Sequence, residues 1–144
     1  VVLREWERSA SQFEIVLSRA GNTFLPPVLD VTVHEHDIRG ALELPAHRQG
    51  EVIDLAVGFI GERFTRRVAS ASLDGAVVID EDGDVIAGRS GAPVQLTTSR
   101  FELFRAGFGR RSARQIAARI TGADSAPYVE QLVIFSPALT DIVE

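Results

Sequence analysis

Apolar residues in the first twenty positions recur at steps of three and four, the period of one face of an α-helix. The repeating positions are Val2, Leu3, Trp6, Ala10, Phe13, Val16, Leu17 and Ala20, and Gly21 follows as a stop. A second helix is predicted from Pro26-Pro27 to about Leu42, because proline's missing N–H costs nothing in a first helical turn. Two such helices joined by a short loop leave apolar stripes that need partners, as half of a four-helix bundle would.

The pattern changes beyond Pro45 and predicts a second, mixed unit. One long helix is expected from about Gln49 to Ala69, and its inner face carries Ile53, Ala56, Val57, Ile60, Phe64 and Val68. Two apolar runs flanking an Asp-Gly turn predict a hairpin, at 76–80 and 85–89, and alternation at Val94, Leu96 and Thr98 predicts a third strand. Further helices are predicted after two capping boxes, Ser99 to Glu102 and Ser112 to Gln115, and from Pro127 to Phe135. The predicted fold class is α+β: half of a helical bundle over 1–45, then a small antiparallel sheet with helices over 46–144.

Composition and charge exclude several classes of functional site. With 144 residues and 45% hydrophobic content the chain can bury a core, and its net charge of −5 argues against a nucleic-acid surface. There is no cysteine, and all 15 basic residues are arginine, so thiolate metal sites, a cysteine nucleophile and lysine Schiff bases are excluded. No apolar run reaches the roughly 20 residues of a membrane helix, so we expect no membrane partner and a cytoplasmic location. Because the chain opens on Val1 inside a helical pattern, we also expect an N-terminally truncated protein.

The segment from Asp30 to Gly40 carries the strongest candidate chemistry. Asp30, His34 and Asp37 fall on one polar stripe, because residues four and seven apart project from nearly the same side of a helix. A histidine and a carboxylate at this spacing can bind one divalent ion together with ligands from elsewhere. They can equally form an ordinary surface pair, which spacing alone favours because such pairs are common. We expect His36 to point to a different, exposed face and His47 to lie in a loop.

Other motifs have structural explanations. The acidic run Asp80-Glu-Asp82-Gly-Asp84 resembles the start of a calcium loop, but its glycine is fourth rather than sixth and position twelve is Gly91. We therefore expect a hairpin turn with solvated acids. Three phenylalanines at helical spacing, Phe101, Phe104 and Phe108, are expected in the core rather than around a ligand.

Arg110 and Arg111 lie at the break between two capped helices. There, a planar guanidinium is able to hold a substrate carboxylate. The alternative is a pair of surface arginines that meet nearby acids, and charge alone favours it.

Three segments taken in order resemble the mycothiol-dependent maleylpyruvate isomerase family. They are Asp30 to Leu42, then Asp82-Gly with Ala87-Gly88, then Phe101 to Ser112. Members of that family join a DinB-like four-helix metal-binding bundle to a smaller α+β domain, and the resemblance covers the chain from about Trp6 to Glu144. It implies that residues 1–45 are bundle helices three and four, and that 46–144 are the C-terminal domain.

The resemblance also implies a site and a reaction class. The family's metal, usually zinc, takes a histidine from the second bundle helix and an acid–histidine pair from the fourth. That pair falls on Asp30 and His34, with Asp in place of the Glu of characterised isomerases, and the first histidine is expected upstream of Val1. The implied function is an isomerase or transferase that uses a divalent metal and mycothiol, or a similar thiol, on an electrophilic substrate, expected to be a carboxylate that Arg110 grips.

A second function stays open from the sequence. The C-terminal domain also looks somewhat like sterol-carrier-type domains, which predicts a noncatalytic module that binds an apolar ligand or supports dimerisation. If the truncation is natural, the exposed half-bundle predicts a homodimer or aggregation, because its inward stripes would otherwise form a large apolar patch.

Overall fold

The computed structural model of this chain describes residues 25–144 and, before them, residues 5, 9, 10, 12, 14, 15 and 19. These earlier residues are helical, and the rest of the predicted helix from Val2 to Ala20, with its stop at Gly21, lies outside the described residues. The chain divides into two compact units, Val1–Asp37 and Ile38–Glu144. The domain assignment made from the sequence, with its division after residue 45, stays a prediction.

Helix α1 covers Leu25–Ala41, close to the span predicted from the sequence. Its buried side chains, Leu29, Val33 and His36, follow steps of four and three and so share one face. The helix ends where the N–H of Leu42 donates to the carbonyl of Ile38, and a left-handed residue, Glu43, follows.

Helix α2 covers Glu51–Ser70 and is the central helix of the second unit. The predicted inner face is confirmed, since its six residues are all buried: Ile53, Ala56, Val57, Ile60, Phe64 and Val68. Arg63 of α2 donates to the carbonyls of residues 131–133, at 3.1 to 3.3 Å. These carbonyls lie at the C-terminal end of the helix Ala126–Leu132. Arg63 therefore satisfies oxygens that a helix end leaves without intrahelical partners.

Four strands form one mixed sheet in the order β2-β1-β3-β4. They are β1 Ala76–Ile79, β2 Val85–Gly88, β3 Val94–Thr97 and β4 Ile120–Thr121. The predicted hairpin and third strand are confirmed, but the expected antiparallel sheet is wrong because β1 and β3 run parallel. The chain reverses at the hairpin and again before β3, and β3 then joins the far edge of β1 rather than the edge of β2. The sequence pattern does not state which edge a third strand joins.

Three short helices complete the unit: α3 Arg100–Gly107, α4 Ala113–Ala117 and α5 Ala126–Leu132. The second predicted capping box is complete, since the Ser112 hydroxyl accepts the N–H of Gln115 and the Gln115 side chain accepts the N–H of Ser112. The first is present only in part. Ser99 accepts the N–H of Glu102 at 3.2 Å, but the Glu102 carboxylate pairs with Arg111.

The core of the second unit lies between α2, α3, α5 and the sheet. Phe101, Phe104 and Phe108 are buried in it, with ring centroids 6.2 and 5.5 Å apart, so the prediction that they form core is confirmed. In the part of the chain that the structure describes, no helix is long and apolar enough to cross a membrane.

Candidate functional site

The α1 stripe, Asp30, His34 and Asp37, has the geometry of two carboxylates on either side of one imidazole. His34 Nε2 lies 3.7 Å from Asp30 Oδ1, and His34 Nδ1 lies 3.4 Å from Asp37 Oδ2. The side chains of Asp30 and His34 are 61% and 60% exposed, so both are open to solvent. The helical period produces this arrangement, because steps of four and three return to the same face.

An imidazole nitrogen and a carboxylate oxygen are both ligand types that zinc accepts. Two ligands of one tetrahedral zinc, each bound at about 2.0–2.1 Å, lie about 3.3 Å apart, whereas Nε2 and Oδ1 lie 3.7 Å apart, so a small side-chain rotation would bring them to that separation. Asp37 faces the other ring nitrogen, as a carboxylate does when it fixes the tautomer of a metal-binding histidine. Among residues 25–144 and the few earlier ones described, no group of three or more His, Cys, Asp or Glu side chains is arranged to hold a metal.

The other two histidines separate into a correct and an incorrect prediction. His47 lies in the loop after α1, exposed, with Arg39 Nη2 3.1 Å from its Nδ1. His36 was expected at the surface, but only 3% of it is exposed. It shares the buried face of α1 with Leu29 and Val33.

The second unit contains a cleft of about 470 Å³ where the β1–β2 turn faces the first turns of α2 and α3. We call it the hairpin cleft. Its charged and aromatic lining residues are Arg48, Asp54, Asp80, Glu81, Asp82, Arg100, Phe101 and Glu102. Five acids against two arginines give the lining a negative balance, which favours a ligand that carries positive charge.

Both arginines of the hairpin cleft are held in place. The Arg48 guanidinium lies 5.0 Å from the centroid of the Phe101 ring, within the range of a cation–π contact. Arg100 contacts Asp54 at 3.0 Å and Asp80 at 3.4 Å. Asp80 was expected to be a solvated acid, but it is buried, and its Oδ1 accepts the N–H groups of Asp82 and Asp84. It therefore builds the hairpin turn, as turn chemistry predicted, while facing inward.

A partly buried charge network shares Glu102 with the hairpin cleft. It consists of five side chains: Arg105, Glu144, Arg111, Glu102 and Arg119. Arg111 Nε and Nη2 donate to the two Glu102 carboxylate oxygens at 2.8 and 2.6 Å, a bidentate pair. Arg105 and Arg111 both donate to Glu144 Oε1.

The network changes the acidity of Glu102. Burial alone would raise the pKa of this carboxyl, but the hydrogen bonds and charge of Arg111, with smaller contributions from Arg119 and Arg48, lower it below its ordinary value. Glu102 is therefore held as a carboxylate.

Arg110 and Arg111 have different environments despite being adjacent. Arg111 is 4% exposed and belongs to the charge network, so the expectation of a surface arginine is wrong for it. Arg110, the predicted substrate-gripping residue, is partly exposed, and its Nη1 donates to the carbonyl of Phe108 at 2.9 Å. Asp30 and His34 lie together in the first unit, whereas Arg110 lies in the second.

Sequence reasoning did not single out Arg48, Arg100, Arg105 or Glu144. Arg105 pairs with Glu144 and Arg100 pairs with Asp54, and each partner lies 39 or more residues away in the sequence. Local sequence patterns do not indicate such distant pairs. No protein-family model, no curated protein and no solved structure matches this chain.

Proposed function

We propose that this chain belongs to the mycothiol-dependent maleylpyruvate isomerase family and forms part of a metal- and thiol-dependent isomerase or transferase. The observation that carries the proposal is the α1 stripe, in which a small side-chain rotation would bring His34 Nε2 and Asp30 Oδ1 to the separation of two ligands of one ion. The ordered resemblance over Asp30 to Leu42 and Phe101 to Ser112 supports it.

Each of these residues has a separate role in the proposed site. Asp30 and His34 bind the divalent ion, Asp37 orients the imidazole through Nδ1, and the resemblance assigns the third ligand to a histidine of the second bundle helix. When bound, zinc supplies a Lewis acid that favours the thiolate form of a thiol at its open position. Arg110 binds a carboxylate of the substrate, which its planar, permanently charged guanidinium suits.

Zinc content tests the proposal. We would measure it by elemental analysis on the longest natural version of the polypeptide. We expect about one zinc per chain, lost in His34→Ala and retained in His47→Ala, whose histidine is exposed in a loop. Equal zinc in the His34→Ala protein would assign the metal to other residues and contradict the proposal, as would no zinc in the unmodified protein.

A noncatalytic binding module is the second candidate, and the hairpin cleft favours it. Phe104 and Phe108 are buried in the core, and Phe101 lines the hairpin cleft among charged groups, so the cleft does not suit an apolar ligand. A small amine or guanidinium compound matches that lining better. Amide chemical shifts of Asp82 and Phe101 that move on titration with guanidinium compounds, in a chain that binds no zinc, would favour this second function.

A further inference from the structure

Thr98, the residue after β3, buries a hydroxyl that has no hydrogen-bond partner among the described residues. Only 3% of the residue is exposed, and its backbone N–H donates to the carbonyl of Ile79 at 3.0 Å. A threonine hydroxyl carries one donor and two acceptor positions. Burying it without a partner is unfavourable, so a buried, unpaired hydroxyl requires an explanation.

A small cavity adjoins Thr98. The space open to the centre of a water molecule is about 10 Å³, close to the minimum that one water needs. Apolar side chains form part of its wall, and its polar lining comes from Thr98, Glu102, Arg111, Gln115 and Arg119. Cavities lined only by apolar groups stay dry, whereas one with several polar groups can hold a water that hydrogen-bonds to them.

The polar groups that line the cavity have unused hydrogen-bonding positions. The Glu102 carboxylate offers about four acceptor positions and accepts three bonds, from Arg111 Nε, Arg111 Nη2 and Arg119 Nη2. Gln115 Nε2 carries two hydrogens and donates one to the carbonyl of Ile142 at 2.8 Å. With the Thr98 hydroxyl, these groups supply the roughly three partners that a buried water usually has.

We propose that this cavity is a binding site for a single ordered water molecule, held by the Thr98 hydroxyl and by the Glu102 and Gln115 side chains. The water connects the end of β3 to the charge network, and through it to α3 and α4. It satisfies the Thr98 hydroxyl, which has no partner among the described residues.

Thr98→Val tests the site, because valine keeps the shape of threonine and removes only the hydroxyl. If water is bound, the substitution removes one of its three partners, the water is lost, and we expect the urea midpoint of unfolding of the 144-residue chain to fall. If the cavity is dry, the substitution removes an unpaired hydroxyl and the midpoint rises or stays unchanged, which would overturn the proposal. Thr97→Val is the matched control: Thr97 is the exposed neighbour at the end of β3, and we expect no loss there.

A second measurement observes the water directly. Magnetic relaxation dispersion of solvent nuclei counts water molecules that reside in a protein far longer than surface water does. We expect one such molecule fewer in Thr98→Val than in the unmodified chain and in Thr97→Val. The same number in all three proteins would overturn the proposal, whatever the urea midpoints show.

Discussion

At the scale of single residues, the most constrained side chain is Arg105, the largest that is fully buried in the described part of the chain. A guanidinium cannot shed its charge, so its burial requires a carboxylate partner. Glu144 supplies one, with Nε of Arg105 donating to Oε1 at 2.9 Å, and both side chains are nearly inaccessible at 2% and 7% exposed. The segment around Glu144 is thereby fastened to α3.

We predict that Glu144→Gln lowers the free energy of unfolding by about 3–5 kcal/mol, the cost of leaving a buried charge without its counter-charge. Glutamine keeps nearly the same shape, so the loss reports charge rather than packing. Urea denaturation monitored by circular dichroism measures it.

Glu130→Gln makes the same chemical change on α5, where the side chain is exposed, and should stay within about 0.5 kcal/mol of the unmodified chain. A Glu144→Gln protein as stable as the Glu130→Gln protein would show that Arg105 does not depend on Glu144.

At the scale of elements, two glycines allow α2 and α3 to approach their neighbours closely. A Cβ added at Gly61 of α2 would lie 2.6 Å from Cβ of Ala87 in β2, and one added at Gly107 of α3 would lie 2.7 to 2.9 Å from the side chain of Ile60. Both separations are shorter than carbon atoms tolerate. The spacing between α2, the sheet and α3 therefore depends on the missing side chains.

We predict opposite effects for two glycine-to-alanine substitutions within α2. Gly61→Ala should destabilise the chain by about 1–3 kcal/mol, because β2 must move to admit a methyl group. Gly58→Ala should stabilise it by up to about 1 kcal/mol, since alanine is the better helix former and nothing lies within 4 Å of the added Cβ.

Thermal unfolding of the two proteins against the unmodified chain provides the measurement. If both substitutions stabilised the chain, the close approach of α2 to β2 would be disproved.

The difference between local signals and tertiary contacts explains which parts of the fold the sequence could predict. Helix α2 and the β1–β2 hairpin were recovered to within a few residues, because periodicity and the Asp-Gly turn are local signals. The parallel pairing of β1 with β3, and the two-residue strand β4, depend on tertiary contacts and were missed.

The candidate site likewise contains features that the sequence predicts and features that it does not. The α1 stripe follows from helical geometry and was predicted. The burial of His36, Asp80 and Arg111 was not, because a polar residue type is an unreliable indicator of exposure where a buried partner or turn uses it.

At the scale of the whole molecule, stability should depend on pH through carboxylates that the fold keeps ionised. The chain carries a net charge of −5, but its acids are not equivalent. The pKa of Glu102 is lowered by Arg111 against the effect of burial, and the pKa of Asp141 is lowered by the Ser112 hydroxyl and Arg114. A carboxyl whose pKa is lower in the folded chain than in the unfolded chain stabilises the fold above its unfolded pKa, and that contribution disappears as the pH falls through the folded pKa.

We therefore predict that the free energy of unfolding falls steadily below about pH 4.5, where unfolded glutamates begin to bind protons. Glu102→Gln should be clearly less stable than the unmodified chain at pH 7, because Arg111 loses its bidentate carboxylate partner and shares Glu144 with Arg105. The gap should narrow as acidification protonates Glu102 in the unmodified protein. Glu62→Gln, which removes an exposed carboxylate of α2, should follow the unmodified chain closely at every pH. Urea denaturation at intervals from pH 7 to pH 3 measures all three, and a Glu102→Gln gap that stays constant over that range would show that Glu102 is not the group whose ionisation stabilises the fold.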